Sequence, residues 1–114
     1  MSGIVFFRSG DLSDLRGFYT ARVGADVWKD QGDCIILDGG GFRFAFCERE
    51  GAPDTCGVLT FLYDSVGEVD EMYEQLQDVA TSKPVSREPD YSIYQFYAED
   101  PEGRKLEFQT FLDD

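Results

Sequence analysis

The chain has 114 residues, 42% of them hydrophobic and 15% aromatic, which bounds it to one globular domain able to bury a core without staples. Its formal net charge of −13 argues against nucleic acid or anionic lipid as a partner, since both would be repelled. It contains no histidine, so the commonest metal ligand and the commonest general base near neutral pH are both missing.

In chain order, Ile4–Ser9 is a short apolar run that reads as a strand. Asp11 is placed to cap a helix in which Leu12, Leu15, Phe18, Tyr19 and Arg22 fall at helical spacing, and Gly24 is placed to end it. Three strand-like runs follow, Ala25–Lys29, Cys34–Leu37 and Phe42–Glu48, separated by turn residues at 30–33 and 38–41. Residues 49–56 carry turn formers and no period, and read as a linker between a first module (about 1–48) and a second (about 57–114). The same order then recurs. Val58–Tyr63 reads as a strand, and Ser65 with Glu68 forms a capping box. Val66, Val69, Met72, Tyr73, Leu76 and Val79 share one helical face. A loop with Pro84 and Pro89 has room for one short strand near Val85, and Ser92–Tyr97 and Lys105–Leu112 are the last strands.

The halves superpose in two blocks. Val5-Phe6-Phe7 lies on Leu59-Thr60-Phe61, and Gly41–Cys47 lies on Gly103–Gln109, the difference in spacing falling in the proline-bearing loop. Alternation sorts each strand into two faces. Ile4, Phe6 and Arg8 share one side, as do Arg43, Ala45 and Cys47, then Val58, Thr60 and Leu62, and lastly Lys105, Glu107 and Gln109. These sets are too polar for a core and too apolar for a solvated face. They suit the wall of a small-molecule cleft; a dimer interface or a partly exposed sheet face is the plainer alternative.

Seven of the ten cationic residues are arginine, and an acidic, lysine-poor surface suits a halophilic protein that stays hydrated at very high salt. An ordinary acidic mesophilic domain fits the same composition. The three cysteines, Cys34, Cys47 and Cys56, show no CxxC spacing and no leader precedes them, which leads to an expectation of reduced thiols in the cytoplasm. Cys47, with no base partner, reads as a small apolar filler. No apolar run reaches the roughly 18 residues of a membrane span.

Asp11-Leu12, Phe18-Tyr19, Val23-Gly24, the strand at 59–64 and, most specifically, Asp100-Pro-Glu-Gly-Arg-Lys-Leu-Glu107 resemble the glyoxalase / bleomycin resistance / extradiol dioxygenase superfamily, the vicinal oxygen chelate proteins. The resemblance implies an α+β fold of two βαβββ modules forming an incomplete barrel around a cleft. Metal-dependent members take ligands from four equivalent strand positions, which fall here on Ile4, Ala45, Val58 and Glu107. Three of these are hydrocarbon, so no metal and no other cofactor is expected, and the family's metal-dependent chemistries are disfavoured. The resemblance also turns Tyr94 and Phe96 toward the cleft, and Trp28 is a further candidate for its wall. With Phe6, Arg8, Arg43, Thr60, Lys105, Glu107 and Gln109 these make up the expected site.

Glu107 carries the most chemistry. Left unpaired among apolar groups it becomes a candidate base, because burial disfavours a charged carboxylate. The structural alternative is an ion pair with Arg8, Arg43 or Lys105, whose charges would make the cleft locally positive and suited to an anionic or planar ligand. The leading function is metal-free binding of a small molecule by a homodimer, of the resistance or sequestration type. A metal-independent isomerase- or lyase-like enzyme using Glu107, or a degenerate dimerisation module, are the alternatives.

Overall fold

A computed structural model describes residues 1–113. The chain divides into two compact units, Met1–Thr55 and the residues from Cys56 onward, each carrying one four-stranded mixed sheet.

In the first unit, β1 (Ile4–Ser9) leads to α1 (Leu12–Gly17), which continues as a π-helical turn over Phe18–Val23. Asp11 caps α1 by accepting from the Asp14 N–H at 3.1 Å, and Gly24 ends the turn with φ +92°, a conformation that favours glycine. The single helix expected over this segment is thus wound more loosely in its second half, where Phe18 and Tyr19 are buried. β2 (Asp26–Asp30), β3 (Cys34–Gly39) and β4 (Phe42–Glu48) follow, and the sheet order is β1-β4-β3-β2 with β1 parallel to β4. β3 and β4 turn through Gly40 and Gly41, both at positive φ, as a tight two-residue hairpin requires. The core lies on the helix side, where Tyr19 stacks on Phe46 at 5.2 Å and meets Phe44 edge-on at 5.1 Å.

The second unit repeats the order: β5 (Val58–Leu62), α2 (Val66–Leu76), β6 (Val85–Ser86), β7 (Ile93–Glu99) and β8 (Lys105–Phe111), arranged β5-β8-β7-β6 with β5 parallel to β8. Ser65 caps α2 by accepting from the Glu68 N–H at 3.2 Å and donating back to the Glu68 carboxylate at 3.1 Å. Val79 lies past the end of this helix, where its carbonyl accepts from the Glu99 N–H. Phe61, Phe108 and Phe96 form a stacked column, with Tyr73 of α2 edge-on to Phe96.

The internal repeat is visible in the strand register. Moving 54 residues from β1 to β5 and 62 from β4 to β8 carries the Val5–Phe44 pair onto Leu59–Leu106 and the Phe6–Ala45 pair onto Thr60–Glu107. The alignment read from the sequence is therefore also an alignment of backbone pairing. The turn at Asp100-Pro-Glu-Gly is fixed by one carboxylate. Asp100 accepts from the backbone N–H groups of Glu102 at 2.8 Å and Arg104 at 3.0 Å, and from the Arg104 guanidinium at 3.2 Å, with both side chains buried.

The cysteines correct one expectation. Cys34 and Cys47 are not reduced: opposite one another in the β3–β4 register, they form a disulfide, so Cys47 is a cross-link and not a filler. Cys56 is a free, exposed thiol. Denatured without reductant, each chain is expected to titrate one thiol, and three after reduction. Three without reductant would contradict the bridge. No helix among the described residues is long and apolar enough to cross a membrane.

Candidate functional site

The face of the second sheet turned away from α2 is built in three rungs. β7 and β8 pair Ile93 with Phe111, Gln95 with Gln109 and Tyr97 with Glu107, and Thr60 of β5 stands beside Glu107. Directly opposed residues of an antiparallel pair share a face, so these side chains form one floor. The segment between β6 and β7 bends back over it. The Arg87 N–H donates to the Ile93 carbonyl at 2.9 Å and the Tyr91 N–H to the Arg87 carbonyl at 3.1 Å. The floor and this segment, with Arg87, Asp90 and Tyr91, line an open cavity of about 570 Å³. That volume lies in the range of small-molecule sites.

A polar chain runs across the floor. Arg87 Nε donates to Gln95 Oε1 at 3.2 Å, Gln95 Nε2 donates to Glu107 Oε2 at 2.9 Å, and the Thr60 hydroxyl donates to Glu107 Oε1 at 2.8 Å. Gln95 is fully buried, and its amide would be costly to leave unpaired. Arg87 on one side and Glu107 on the other fix which way it points.

Of the residues expected at the site, Glu107 and Gln109 line this cavity, Thr60 holds Glu107, and Lys105 sits on the same sheet face with its Nζ 4.1 Å over the Tyr97 ring. The expectation of an ion-paired or unpartnered Glu107 is corrected, since both of its oxygens accept from neutral donors of its own unit. Phe6, Arg8, Trp28 and Arg43 belong to the first unit. Phe6 is 53% exposed on β1, and the Arg8 N–H donates to Asp54 at 2.7 Å. Arg43 pairs with Asp38 at 3.2 Å and lies 4.0 Å over the Trp28 ring, so its guanidinium already has partners.

Tyr94 and Phe96 are misplaced by the sequence reading. They face α2, where Phe96 is buried in the aromatic column and the Tyr94 hydroxyl donates to Asp70 at 2.7 Å. Gln95 and Tyr97, one residue along, face the cavity instead. The bond to Asp70, then burial and the Asp70 charge, push the Tyr94 pKa up to about 12. Burial, then the Glu68 charge, pushes Tyr63 to about 12 as well. Both values lie above the ordinary tyrosine value of 10.0, so the stability linked to the neutral phenols is present below pH 10 and is lost as the pH rises toward 12. The melting midpoint of the wild type is expected to fall over that interval more steeply than that of a Tyr63→Phe/Tyr94→Phe variant. Equal slopes would contradict the assignment.

The whole chain has counterparts among solved structures. An integron cassette protein from the mobile metagenome of Halifax Harbour Sewage Outfall superposes with a TM-score of 0.81 at 20% identity, covering 97% of this chain and 98% of that one. A glyoxalase/bleomycin resistance protein/dioxygenase family enzyme from Burkholderia phytofirmans gives 0.81 at 18% identity, covering 96% and 97%. A glyoxalase/bleomycin resistance protein/dioxygenase from Nocardioides gives 0.77 at 19% identity, covering 99% and 84%. The chain has the glyoxalase/bleomycin resistance/dioxygenase fold. No protein-family model matches the sequence, and no curated protein matches it.

The positions that the sequence resemblance assigns to metal ligands are Ile4 and Ala45 in the first unit and Val58 and Glu107 in the second. The first three offer no lone pair, and Glu107 is engaged by Thr60 and Gln95. Among the described residues no group of three or more Cys, Asp or Glu side chains is placed to hold an ion. These side chains supply one carboxylate, where a divalent metal takes three or four protein ligands.

Proposed function

We propose that this protein binds a small molecule in the cavity over β7 and β8, without a metal, in the manner of a sequestering or resistance protein. The observation that carries the reading is the floor itself: three cross-strand rungs that set aromatic and aliphatic walls around a hydrogen-bonded polar chain running from Arg87 through the buried Gln95 to Glu107. Such a surface combines apolar area for affinity with a few fixed polar groups for orientation. The hydrocarbon side chains at Ile4, Ala45 and Val58 support metal independence. The homodimer expected from the sequence draws support from the exposed apolar side chains Phe6, Val58 and Leu62.

Magnesium, manganese, zinc and calcium are each expected to leave the melting midpoint of the purified protein unchanged. A stoichiometric ion that raises it clearly would overturn the metal-free reading. A carboxylate lining a cavity also supports a second reading, a metal-independent isomerase- or lyase-like enzyme with Glu107 as base. Glu107→Gln separates the two: lost turnover with retained binding would favour the enzyme.

A further inference from the structure

We propose that the ligand of this cavity is a planar organic cation whose N–H groups donate to Glu107; the proposal rests on the binding reading above and names the chemistry of its ligand. A carboxylate offers about four acceptor positions, and here two are taken, one on each oxygen, by Thr60 and Gln95. Neither donor is charged, so these hydrogen bonds leave the negative charge of Glu107 unmatched at the cavity wall. Gln95 cannot turn an oxygen toward a ligand, because its Oε1 is held by Arg87 and its amide is buried. The floor therefore presents acceptors at Glu107, and it does so in a fixed direction.

The surroundings favour the same sign. Lys105, the cation on this strand face, lies over the Tyr97 ring and not on the carboxylate. Of the three ionised side chains lining the cavity, two, Asp90 and Glu107, are anionic and one, Arg87, is cationic, so the anionic groups outnumber the cation. Tyr91 and Phe111 are 69% and 58% exposed and offer ring faces to a flat ligand. Ring faces carry negative potential, and Tyr97 already attracts a cation. A chain of net charge −13 adds a long-range field that concentrates cations near it. An anion would meet Glu107 head-on, and a neutral plane would leave its charge unanswered.

Three isosteric probes separate these cases: benzamidinium, benzamide and benzoate, titrated at about 0.1 M salt, where screening acts over roughly 10 Å, and followed by backbone amide shifts. Benzamidinium is expected to move the resonances of residues 93–97 and 105–111 and to bind about tenfold or more tightly than benzamide, as a charge-assisted hydrogen bond allows. Glu107→Gln is expected to abolish that preference while benzamide binding persists. If the variant does not fold, the three probes on the wild type decide alone. Benzamide or benzoate binding there as tightly as benzamidinium would overturn the cation assignment and leave the cavity reading standing. Failure of all three to move these residues would overturn both.

Discussion

Replacing Phe108 with alanine is expected to lower the unfolding free energy by about 3–5 kcal/mol, the cost of emptying a fully buried aromatic site. Phe108 is 0% exposed, stacked at 5.0 Å on Phe96 and at 5.4 Å on Phe61, with Tyr63 at 6.4 Å. It is the middle of the column that joins β5, β7 and β8, so its loss leaves a void bounded by rings whose own positions depend on it. Packing at the centre of a sheet relaxes little, which puts the loss in the upper part of the range. Domains of this size have about 5–15 kcal/mol in total, so the variant should unfold at a much lower urea concentration. Phe111→Ala, three residues on but 58% exposed on the opposite face, should change stability by about 0.5 kcal/mol or less. Equal losses at the two positions would contradict the assignment of faces on β8.

Arg104→Met is expected to cost about 3–5 kcal/mol, because removing one partner of a buried ion pair strands the other charge. The Arg104 guanidinium lies 3.2 Å from Asp100 and 2.7 Å from Glu102, and the Asp100 side chain is 0% exposed. Asp100 also ties two backbone N–H groups of the β7–β8 turn, so the charge left behind would loosen the hairpin that sets the cavity floor. In an Asp100→Asn background the same arginine substitution should cost less, since the amide keeps an acceptor for the turn but no longer carries the charge. A double-mutant cycle by denaturant unfolding measures the difference. Additive costs would show that the pair does not act as a unit.

Much of the fold was legible because each half repeats the other. The matched triplets Val5-Phe6-Phe7 and Leu59-Thr60-Phe61, with the matched glycine-led strands, already imply that the β1–β4 and β5–β8 registers are equivalent. The caps at Asp11 and Ser65 are local hydrogen-bond chemistry and fall where the sequence places them. The π-helical turn over Phe18–Val23 was not legible, because the spacing of its apolar residues also suits an ordinary α-helix.

The candidate site was legible only in part, and one error was avoidable. The tight turn through Asp100–Arg104 pairs Glu99 with Lys105, so odd-numbered residues of β7 must share a face with odd-numbered residues of β8. With Glu107 on the ligand face, Gln95 and Tyr97 follow, and Tyr94 and Phe96 fall with Leu106 and Phe108 in the core. The disulfide had a similar signal: a hairpin closed by Gly40-Gly41 sets Cys34 opposite Cys47. Arg87 had none. It stands in a proline-bearing segment without periodicity, and only the folded path brings its Nε to Gln95.

The central claim, a ligand cavity floored by β7 and β8 and centred on Glu107, is tested most directly by a small-molecule fragment screen read by amide chemical shifts on the wild-type protein. The expected result is that binders shift residues 87–97 and 105–111 and raise the melting midpoint by mass action. Binders that consistently shift other parts of the chain and leave those two segments unmoved would contradict it.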